Sequence, residues 1–203
     1  VFLPEYWESY QEVNKKFASA VCQNVGDLDF LWVHDYQLIL VGAQLRKMQI
    51  RNKVGFFLHI PFPPIDTFAR CPWRLELLTA MLEYDILGFQ TIQDKRNFIG
   101  CLEKIIPHVG INLKAELNQA ITEFQFGDKM VHIGVFPISI DYHDFSLKAK
   151  ERKVNKRVKE MRRNTRGVKI LLGVDRLDYT KGIPERLKAF HRFLTLFPQF
   201  HKR

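Results

Sequence analysis

Phe30-Leu31-Trp32-Val33-His34-Asp35 is the stretch that indicates how this chain folds. Four apolar residues follow one another without interruption, and two polar residues end the run. A parallel strand that helices cover on both faces has such a sequence, because neither face meets water. The stretch therefore predicts a buried strand over residues 30–33 with His34 and Asp35 at its carboxyl end.

The same pattern continues along the chain, where short apolar runs alternate with segments of helical length. The run over 54–58 ends at His59 and a proline cluster, and proline cannot continue a central strand. Such alternation is typical of the α/β class. We predict helices over 8–24, 38–50, 67–83 and 93–106, the last ended by Pro107, a strand over 86–89, and a hairpin over 122–136 with a type II′ turn at Gly127-Asp128.

Two of the predicted helices have an apolar face at helical spacing, which we expect to pack on the core. These faces consist of Val13, Phe17 and Val21 in the first helix, and of Leu75, Leu78 and Leu82 in the third.

The net charge of +9 is concentrated in one segment. Between Lys148 and Arg166 the chain has ten Lys and Arg against two Glu, so this segment accounts for +8. A basic helix can contact phosphates, but here Val154, Val158 and Met161 recur at helical spacing and no aromatic residue is interleaved for base stacking. We expect a solvated surface helix with one buried apolar stripe, and no nucleic acid as a partner.

The strand pattern starts again after the basic segment. Residues 168–174 predict a buried strand, and residues 184–197 predict a helix with proline in its first turn. The change of composition over 140–167 is the best candidate for a domain boundary. We expect residues 1–140 to belong to one Rossmann-like domain, 141–167 to form a basic connecting helix, and 168–203 to begin a second Rossmann-like domain.

The composition also excludes several classes of protein. No apolar run approaches the roughly 18 residues that span a bilayer, and the first residues lack the pattern of a signal peptide. The three cysteines, Cys22, Cys71 and Cys101, are widely spaced and include no Cys-x-x-Cys pair, which favours free thiols in a reducing compartment. We therefore expect a cytoplasmic protein with no membrane contact and no metal site.

Polar residues follow three of the predicted strands. His34-Asp35-Tyr36 follows the strand over 30–33, His59 follows the next one, and Asp175-Arg176 follows the strand over 168–174. Ligands of open parallel sheets bind beyond the carboxyl ends of the strands. These residues are therefore candidates for one site, although a polar residue there is often only a helix cap.

The segment after residue 174 has the features of a phosphate site. Arg176 and Lys181 flank a short turn before a predicted helix, and the free N–H groups of a helix start attract anions. A simple surface ion pair, Arg176–Asp178 or Lys181–Glu185, is the alternative that the residues leave open.

Four segments resemble the successive motifs of glycosyltransferase family 20, the trehalose-6-phosphate synthases. They are Trp32-Val-His-Asp-Tyr-Gln-Leu38, Gly55-Phe-Phe-Leu-His-Ile-Pro-Phe-Pro63, Tyr84-Asp-Ile-Leu-Gly-Phe-Gln-Thr91 and Val174-Asp-Arg-Leu-Asp-Tyr-Thr-Lys-Gly182. Four long motifs in this order make chance similarity implausible. The resemblance extends over essentially the whole chain.

The resemblance implies a GT-B fold, in which two Rossmann-like domains face each other across a cleft. It implies transfer of glucose from UDP-glucose to glucose 6-phosphate with retention of configuration, without a metal or a cofactor. By the family pattern, Asp35 binds the acceptor sugar and His59 contacts the donor glucose. Arg176 and Lys181 then bind the donor diphosphate. These four are the predicted catalytic residues, and a homo-oligomer of the full-length protein stays open.

Two alternatives to this function also stay open. One is a regulatory paralogue that binds sugar phosphates without turnover. The other is a sister transferase with another acceptor, such as glucosylglycerol-phosphate synthase. Segments that the family uses for the acceptor phosphate and for the donor sugar are not among these residues, so we expect an internal fragment that is inactive by itself.

Overall fold

The computed structural model describes residues 2–106, 121–165 and 167–202. The chain divides into two compact units, Val1–Ser139 and Ile140–Arg203. The first unit contains a five-stranded sheet. Its strands are β1 (Leu31–His34), β2 (Val54–Phe57), β3 (Ile86–Phe89), β4 (Ile121–Phe126) and β5 (Lys129–Val135).

The sheet is mainly parallel, with the spatial order β1-β2-β3-β5-β4. β1, β2, β3 and β5 run parallel to one another, and β4 pairs with β5 in the antiparallel direction. All four residues of β2 are buried, as its uninterrupted apolar run predicts. Gly127 connects β4 to β5 with a φ of 60°, the value that the first central position of a type II′ turn requires.

The helices of the first unit are α1 (Pro4–Cys22), α2 (Val41–Lys47), α3 (Ile65–Phe68), α4 (Arg74–Met81) and α5 (Ile92–Ile105), with a 3₁₀ turn at Tyr36–Leu38. The single helix predicted over 67–83 is wrong. Pro72 disfavours the helical conformation of the residue before it, so the chain forms the separate helices α3 and α4. The helix predicted over 38–50 is shorter than expected, and Pro107 lies outside the described residues.

The buried face of α1 differs from the predicted one. Val13 and Phe17 are 44% and 50% exposed, whereas Asn14 and Ala18 are fully buried. One residue along a helix corresponds to a rotation of about 100°, so the buried face is turned by that angle from the predicted stripe. The side-chain amide of Asn14 on this face forms hydrogen bonds with the backbone of Gln37 and Leu40. Hydrogen bonding, which hydrophobic periodicity does not detect, therefore orients α1.

Aromatic rings fill much of the core. Phe62 packs against Phe89 and Phe98, with ring centroids 6.0 and 5.3 Å away. Tyr84 is fully buried against α2. A Cβ atom on Gly42 would lie 2.7 Å from the Tyr84 ring, so only glycine allows this close approach.

A single carboxylate connects several elements at the amino edge of the sheet. Oδ2 of Asp85 accepts the N–H of Val54 at 2.7 Å and lies 2.8 Å from Nη2 of Arg46. Burial alone would raise the pKa of Asp85. The Val54 N–H and the cations of Lys129, Arg46 and Lys53 outweigh burial and hold this pKa below its ordinary value. Asp85 therefore stays ionised and ties β2, β3 and α2 together.

The second unit consists of α6 (Tyr142–Lys150), α7 (Arg152–Asn164) and α8 (Ile183–Leu196), with 3₁₀ turns at Tyr179–Lys181 and Pro198–Phe200. The predicted basic helix is divided in two at Glu151, whose ψ of 143° is extended. Val158 and Met161 are 39% and 51% exposed. The prediction that the apolar stripe of α7 is buried is therefore wrong.

The strand predicted over 168–174 is wrong for this structure. These residues have no regular secondary structure, and no strand lies beside them within the described parts of the chain. A strand forms only where a neighbour completes the ladder of N–H and C=O groups. Without one, Leu172 and Val174 remain 85% and 80% exposed. The roles that the sequence assigns to the two domains stay predictions.

Candidate active site

Asp35 lies directly after β1 and has an unusual backbone conformation. Its φ is 68° and its ψ is 166°, a region that residues other than glycine rarely occupy. Its N–H donates to the carbonyl of Phe57 at 2.8 Å. Its Oδ1 accepts the N–H groups of Tyr36 at 3.0 Å and of His59 at 3.3 Å. Asp35 therefore joins the carboxyl ends of β1 and β2.

His34, which ends β1, and His59, which lies two residues after β2, form a hydrogen-bonded pair. Nδ1 of His34 and Nε2 of His59 are 2.9 Å apart, so one ring nitrogen donates and the other accepts. The rings of Trp32 and Phe57 pack against them, with centroids 4.5 and 4.8 Å away. Nδ1 of His59 has no hydrogen-bond partner among the residues described, and this leaves it available for a ligand.

An apolar groove of about 440 Å³ borders the histidine pair. Its lining includes Trp32, Ile86 and Phe136 beside the two imidazole rings. Trp32, Gly55 and Ile86 are neighbours in the register of β1, β2 and β3, so the groove lies along one face of the sheet.

The proline-rich loop after His59 is fixed by α5. The N–H of Phe62 donates to Oδ1 of Asp94 at 3.0 Å, and its carbonyl accepts from Nδ2 of Asn97 at 2.8 Å. Asp94 also forms a capping box with Thr91 at the start of α5. Asp94 and Asn97 are not among the site residues predicted from the sequence. The Thr-x-x-Asp pattern typical of a capping box is the signal that marks the first of them.

Three more side chains, none of them predicted from the sequence, hold the segment after Asp35. Tyr10 and Asn14 of α1, together with Tyr84, bind backbone groups of residues 36–42. No local pattern in the sequence marks this role, because Tyr10 and Asn14 look like residues of a solvent-facing helix surface.

Arg176 and Lys181 lie in the second unit, on either side of Asp178. Oδ1 of Asp178 accepts the N–H and the hydroxyl of Thr180 at 2.9 and 2.8 Å and so caps the 3₁₀ turn. These two hydrogen bonds, and more weakly Arg176, hold the pKa of Asp178 below its ordinary value. Nη2 of Arg176 lies 3.3 Å from Oδ2 of Asp178, so the surface pair that the sequence left open is present.

Lys181 has no ion-pair partner among the described residues, so the alternative pair with Glu185 is not formed. Gly182 follows with a φ of 57° and leads directly into α8. The nearby Arg186 is engaged, because its Nη2 donates to Oδ2 of Asp175 at 2.6 Å. The start of α8 therefore carries one ammonium group that is available to an anion.

The predicted site residues thus fall into two groups. Asp35 and His59 meet at one sheet edge in the first unit, and Arg176 and Lys181 flank one turn in the second. Within the described ranges, no three His, Cys, Asp or Glu side chains cluster as metal ligands. No helix in the same ranges is long and apolar enough to cross a membrane.

Comparison with known proteins identifies the family. The sequence profile of glycosyltransferase family 20 matches residues 2–203. The chain belongs to this family. It is 42% identical over 193 residues to trehalose-6-phosphate synthase of Mycolicibacterium gilvum, covering 94% of this chain and 38% of the relative. It is 39% identical over 199 residues to the UDP-forming alpha,alpha-trehalose-phosphate synthase of Candida albicans, and the match covers 96% of this chain and 40% of that relative.

Solved structures of family 20 agree with the fold. A Burkholderia xenovorans UDP-forming alpha,alpha-trehalose-phosphate synthase in complex with glucose-6-phosphate matches with a TM-score of 0.76 and 30% identity, over 100% of this chain and 44% of that one. The structure titled "Trehalose-6-phosphate from E. coli bound with UDP-2-fluoro glucose" matches with a TM-score of 0.73 and 32% identity. The match covers 99% of this chain and 43% of that one. The predicted α/β architecture of GT-B type is confirmed. The chain spans about 40% of the length of its curated relatives.

Proposed function

We propose that the full-length protein is a retaining glycosyltransferase that forms trehalose 6-phosphate from UDP-glucose and glucose 6-phosphate. The observation that carries the proposal is the contact between Asp35 and His59 at the edge where the parallel strands end. Membership of family 20 supports the same activity.

The free atoms of this pair suggest how each residue acts. Oδ1 of Asp35 is occupied by two N–H groups, whereas Oδ2 has no partner among the described residues. We assign Oδ2 to a hydroxyl of the acceptor sugar, because a carboxylate accepts hydrogen bonds strongly. Nδ1 of His59 also has no partner among the described residues, so we assign it to the donor glucose.

The two cations of the second unit are assigned to the donor diphosphate. During transfer, the bond between glucose C1 and the UDP oxygen breaks, a bond from C1 to the acceptor oxygen forms, and the acceptor proton leaves with the diphosphate. The leaving group gains negative charge as its bond breaks. Arg176 and Lys181 are assigned to stabilise that charge more in the transition state than in the bound substrate.

The same assignment bears on cofactors and partners. Arg176 and Lys181 supply positive charge at the leaving group, so we infer that no metal and no cofactor is required beyond UDP-glucose as substrate. We also infer small-molecule substrates, with no nucleic acid and no membrane as partners. The three free thiols support a cytoplasmic location.

Replacing Asp35 in the full-length protein tests the proposal. Wild-type protein should form trehalose 6-phosphate from the two substrates. Asp35→Asn, which keeps the shape but removes the charge, should lower kcat/KM by about 10- to 150-fold, since a hydrogen bond to a charged group contributes roughly 1.5–3 kcal/mol. Asp66→Asn, at an exposed position of α3, is the matched control and should leave kcat/KM unchanged.

Three results would contradict the proposal. Sugar phosphate binding without any turnover by the wild type indicates the regulatory paralogue. Turnover with glycerol 3-phosphate but not with glucose 6-phosphate indicates the sister transferase. Wild-type kinetics in Asp35→Asn would show that Asp35 does not bind the acceptor sugar.

A further inference from the structure

The segment that follows Asp35 has an unusual set of hydrogen bonds. All four carbonyl groups from Tyr36 to Ile39 lie within hydrogen-bond distance of a side chain from another element. Short 3₁₀ segments leave backbone groups unpaired, and these are commonly satisfied by water. Side chains from distant parts of the chain replace water here, and this fixes the backbone in one conformation.

Tyr10 makes the shortest of these contacts. Its hydroxyl donates to the carbonyl of Tyr36 at 2.6 Å and accepts the N–H of Ile39 at 3.2 Å. Burial raises the pKa of Tyr10 to about 12, although its hydrogen bonds with Ile39 and Asn14 act in the opposite direction. The hydroxyl therefore keeps the proton that it donates.

Asn14 and Tyr84 complete the set. Nδ2 of fully buried Asn14 donates to the carbonyl of Gln37 at 3.0 Å, and its Oδ1 accepts the N–H of Leu40 at 3.0 Å. The hydroxyl of Tyr84 lies 3.0 and 3.1 Å from the carbonyl oxygens of Leu38 and Ile39 and accepts the N–H of Gly42 at 2.9 Å. We call Tyr10, Asn14 and Tyr84 the turn clamp.

The turn clamp lies next to the one backbone position in this region that needs support. Asp35 has a φ of 68° and a ψ of 166°. A non-glycine residue keeps such a conformation only when the surrounding structure fixes it from both sides. On one side the N–H of Asp35 is bonded to Phe57, and on the other its carbonyl accepts from Leu38 inside the clamped turn.

We propose that Tyr10 and Asn14 are positioning residues, which hold the carboxylate of Asp35 in place by fixing the turn after it. The proposal rests on the proposed function of Asp35 as an acceptor ligand. If the turn loosens, Asp35 relaxes towards an ordinary backbone conformation and its side chain moves away from His59. A displacement of about 1 Å at a reacting group can lower a rate by about 100-fold.

Two matched substitutions on α1 of the full-length protein test this. Tyr10→Phe removes only the hydroxyl. Tyr6→Phe makes the same change one turn earlier, at a residue that is 69% exposed and whose hydroxyl has no bond in the described part of the chain. At a temperature well below unfolding, Tyr10→Phe should raise the KM for glucose 6-phosphate several-fold and lower kcat/KM by about tenfold. It should change the KM for UDP-glucose less, and Tyr6→Phe should change none of these.

Amide hydrogen exchange separates this proposal from the proposed function. Tyr10→Phe should speed exchange at Ile39, whose N–H loses its acceptor, and Asn14→Leu should do so at Leu40. These measurements are informative even if the wild type shows no turnover. A lowered melting temperature with unchanged kinetics in Tyr10→Phe would show a merely structural role and overturn the proposal. Unchanged exchange at Ile39 would overturn it as well, and if Asn14→Leu does not fold, Tyr10→Phe decides alone.

Discussion

Oδ1 of Asp35 accepts the backbone N–H of His59 at 3.3 Å, so residues that are 24 positions apart in the sequence form one polar edge. The parallel pairing of β1 and β2 aligns His34 with Phe57, which places the two strand ends side by side. The proposed acceptor ligand is therefore hydrogen-bonded to the backbone of the proposed donor contact.

The backbone conformation of Asp35 predicts an unusual order of stability. Asp35→Gly and Asp35→Ala both remove the carboxylate, but only glycine is free of strain at a φ of 68°. We expect Asp35→Gly to be more stable than Asp35→Ala by about 1–3 kcal/mol. Urea unfolding of the two variants measures the difference. Equal stability, or a more stable alanine variant, would show that the backbone is not strained at this position.

The diphosphate assignment predicts large losses of activity. Arg176→Ala and Lys181→Ala in the full-length protein should each lower transition-state stabilisation by roughly 2–4 kcal/mol, the scale of removing one preorganised electrostatic group. Steady-state kinetics with UDP-glucose measures kcat/KM for each variant. Lys188→Ala removes an exposed cation of α8 and should have no effect. Wild-type kcat/KM in either site variant would show that the replaced residue does not bind the donor diphosphate.

The lowered pKa of Asp85 predicts that the folded protein loses stability in acid. A carboxyl group whose pKa is lower in the folded state contributes stability above its unfolded pKa, and the contribution disappears as the pH falls through the folded pKa. Asp85→Asn should therefore be less stable than wild type by about 1–3 kcal/mol at pH 7. The difference should shrink as the pH falls below about 4.

Denaturant unfolding between pH 7 and pH 3 tests the prediction for Asp85. Asp128→Asn, in the exposed turn between β4 and β5, is the control and should follow the wild type throughout. A constant difference between Asp85→Asn and wild type over the whole pH range would mean that ionisation of Asp85 does not stabilise the fold.

Metal removal should leave activity unchanged. The sequence has one Asp-x-Asp tripeptide, Asp27-Leu28-Asp29, and it precedes β1 at the end opposite to Asp35. Oδ2 of Asp29 is occupied by the N–H of Gly26 at 2.8 Å. We expect the full-length protein to keep its activity in an excess of chelator. Activity that vanishes with EDTA and returns with Mg²⁺ or Mn²⁺ would contradict this.

The irregular segment over 168–174 should exchange its amide hydrogens rapidly in the 203-residue chain. No strand pairs with it among the residues described, so its N–H groups lack ladder partners. The amides of β2, which is buried and paired on both sides, serve as the internal reference. Protection of 168–174 comparable to that of β2 would show that the segment is a paired strand after all.

Local pattern was sufficient to predict much of the first unit. Uninterrupted apolar runs identified β1, β2 and β3, and they predicted burial on both faces. Of these three strands only β2 is buried at every residue, whereas Trp32 of β1 is 62% exposed, so the predicted burial of β1 is wrong. Glycine in a two-residue connection identified the β4–β5 hairpin. The residues at the ends of β1 and β2 were predicted to lie together, since carboxyl ends of neighbouring parallel strands share one edge.

Other features depended on contacts that no local pattern contains. The sequence by itself determined the fold class, the family and the four candidate residues, because these depend on short motifs and on the period of apolar residues. The tertiary structure alone decided that α1 buries Asn14 and leaves Phe17 exposed, and that 168–174 is not a strand. It also decided that Tyr10, Asn14 and Tyr84 hold the turn beside Asp35. The physical reason is that a hydrogen bond or a strand pairing needs two partners, and the partners here lie more than 20 residues apart.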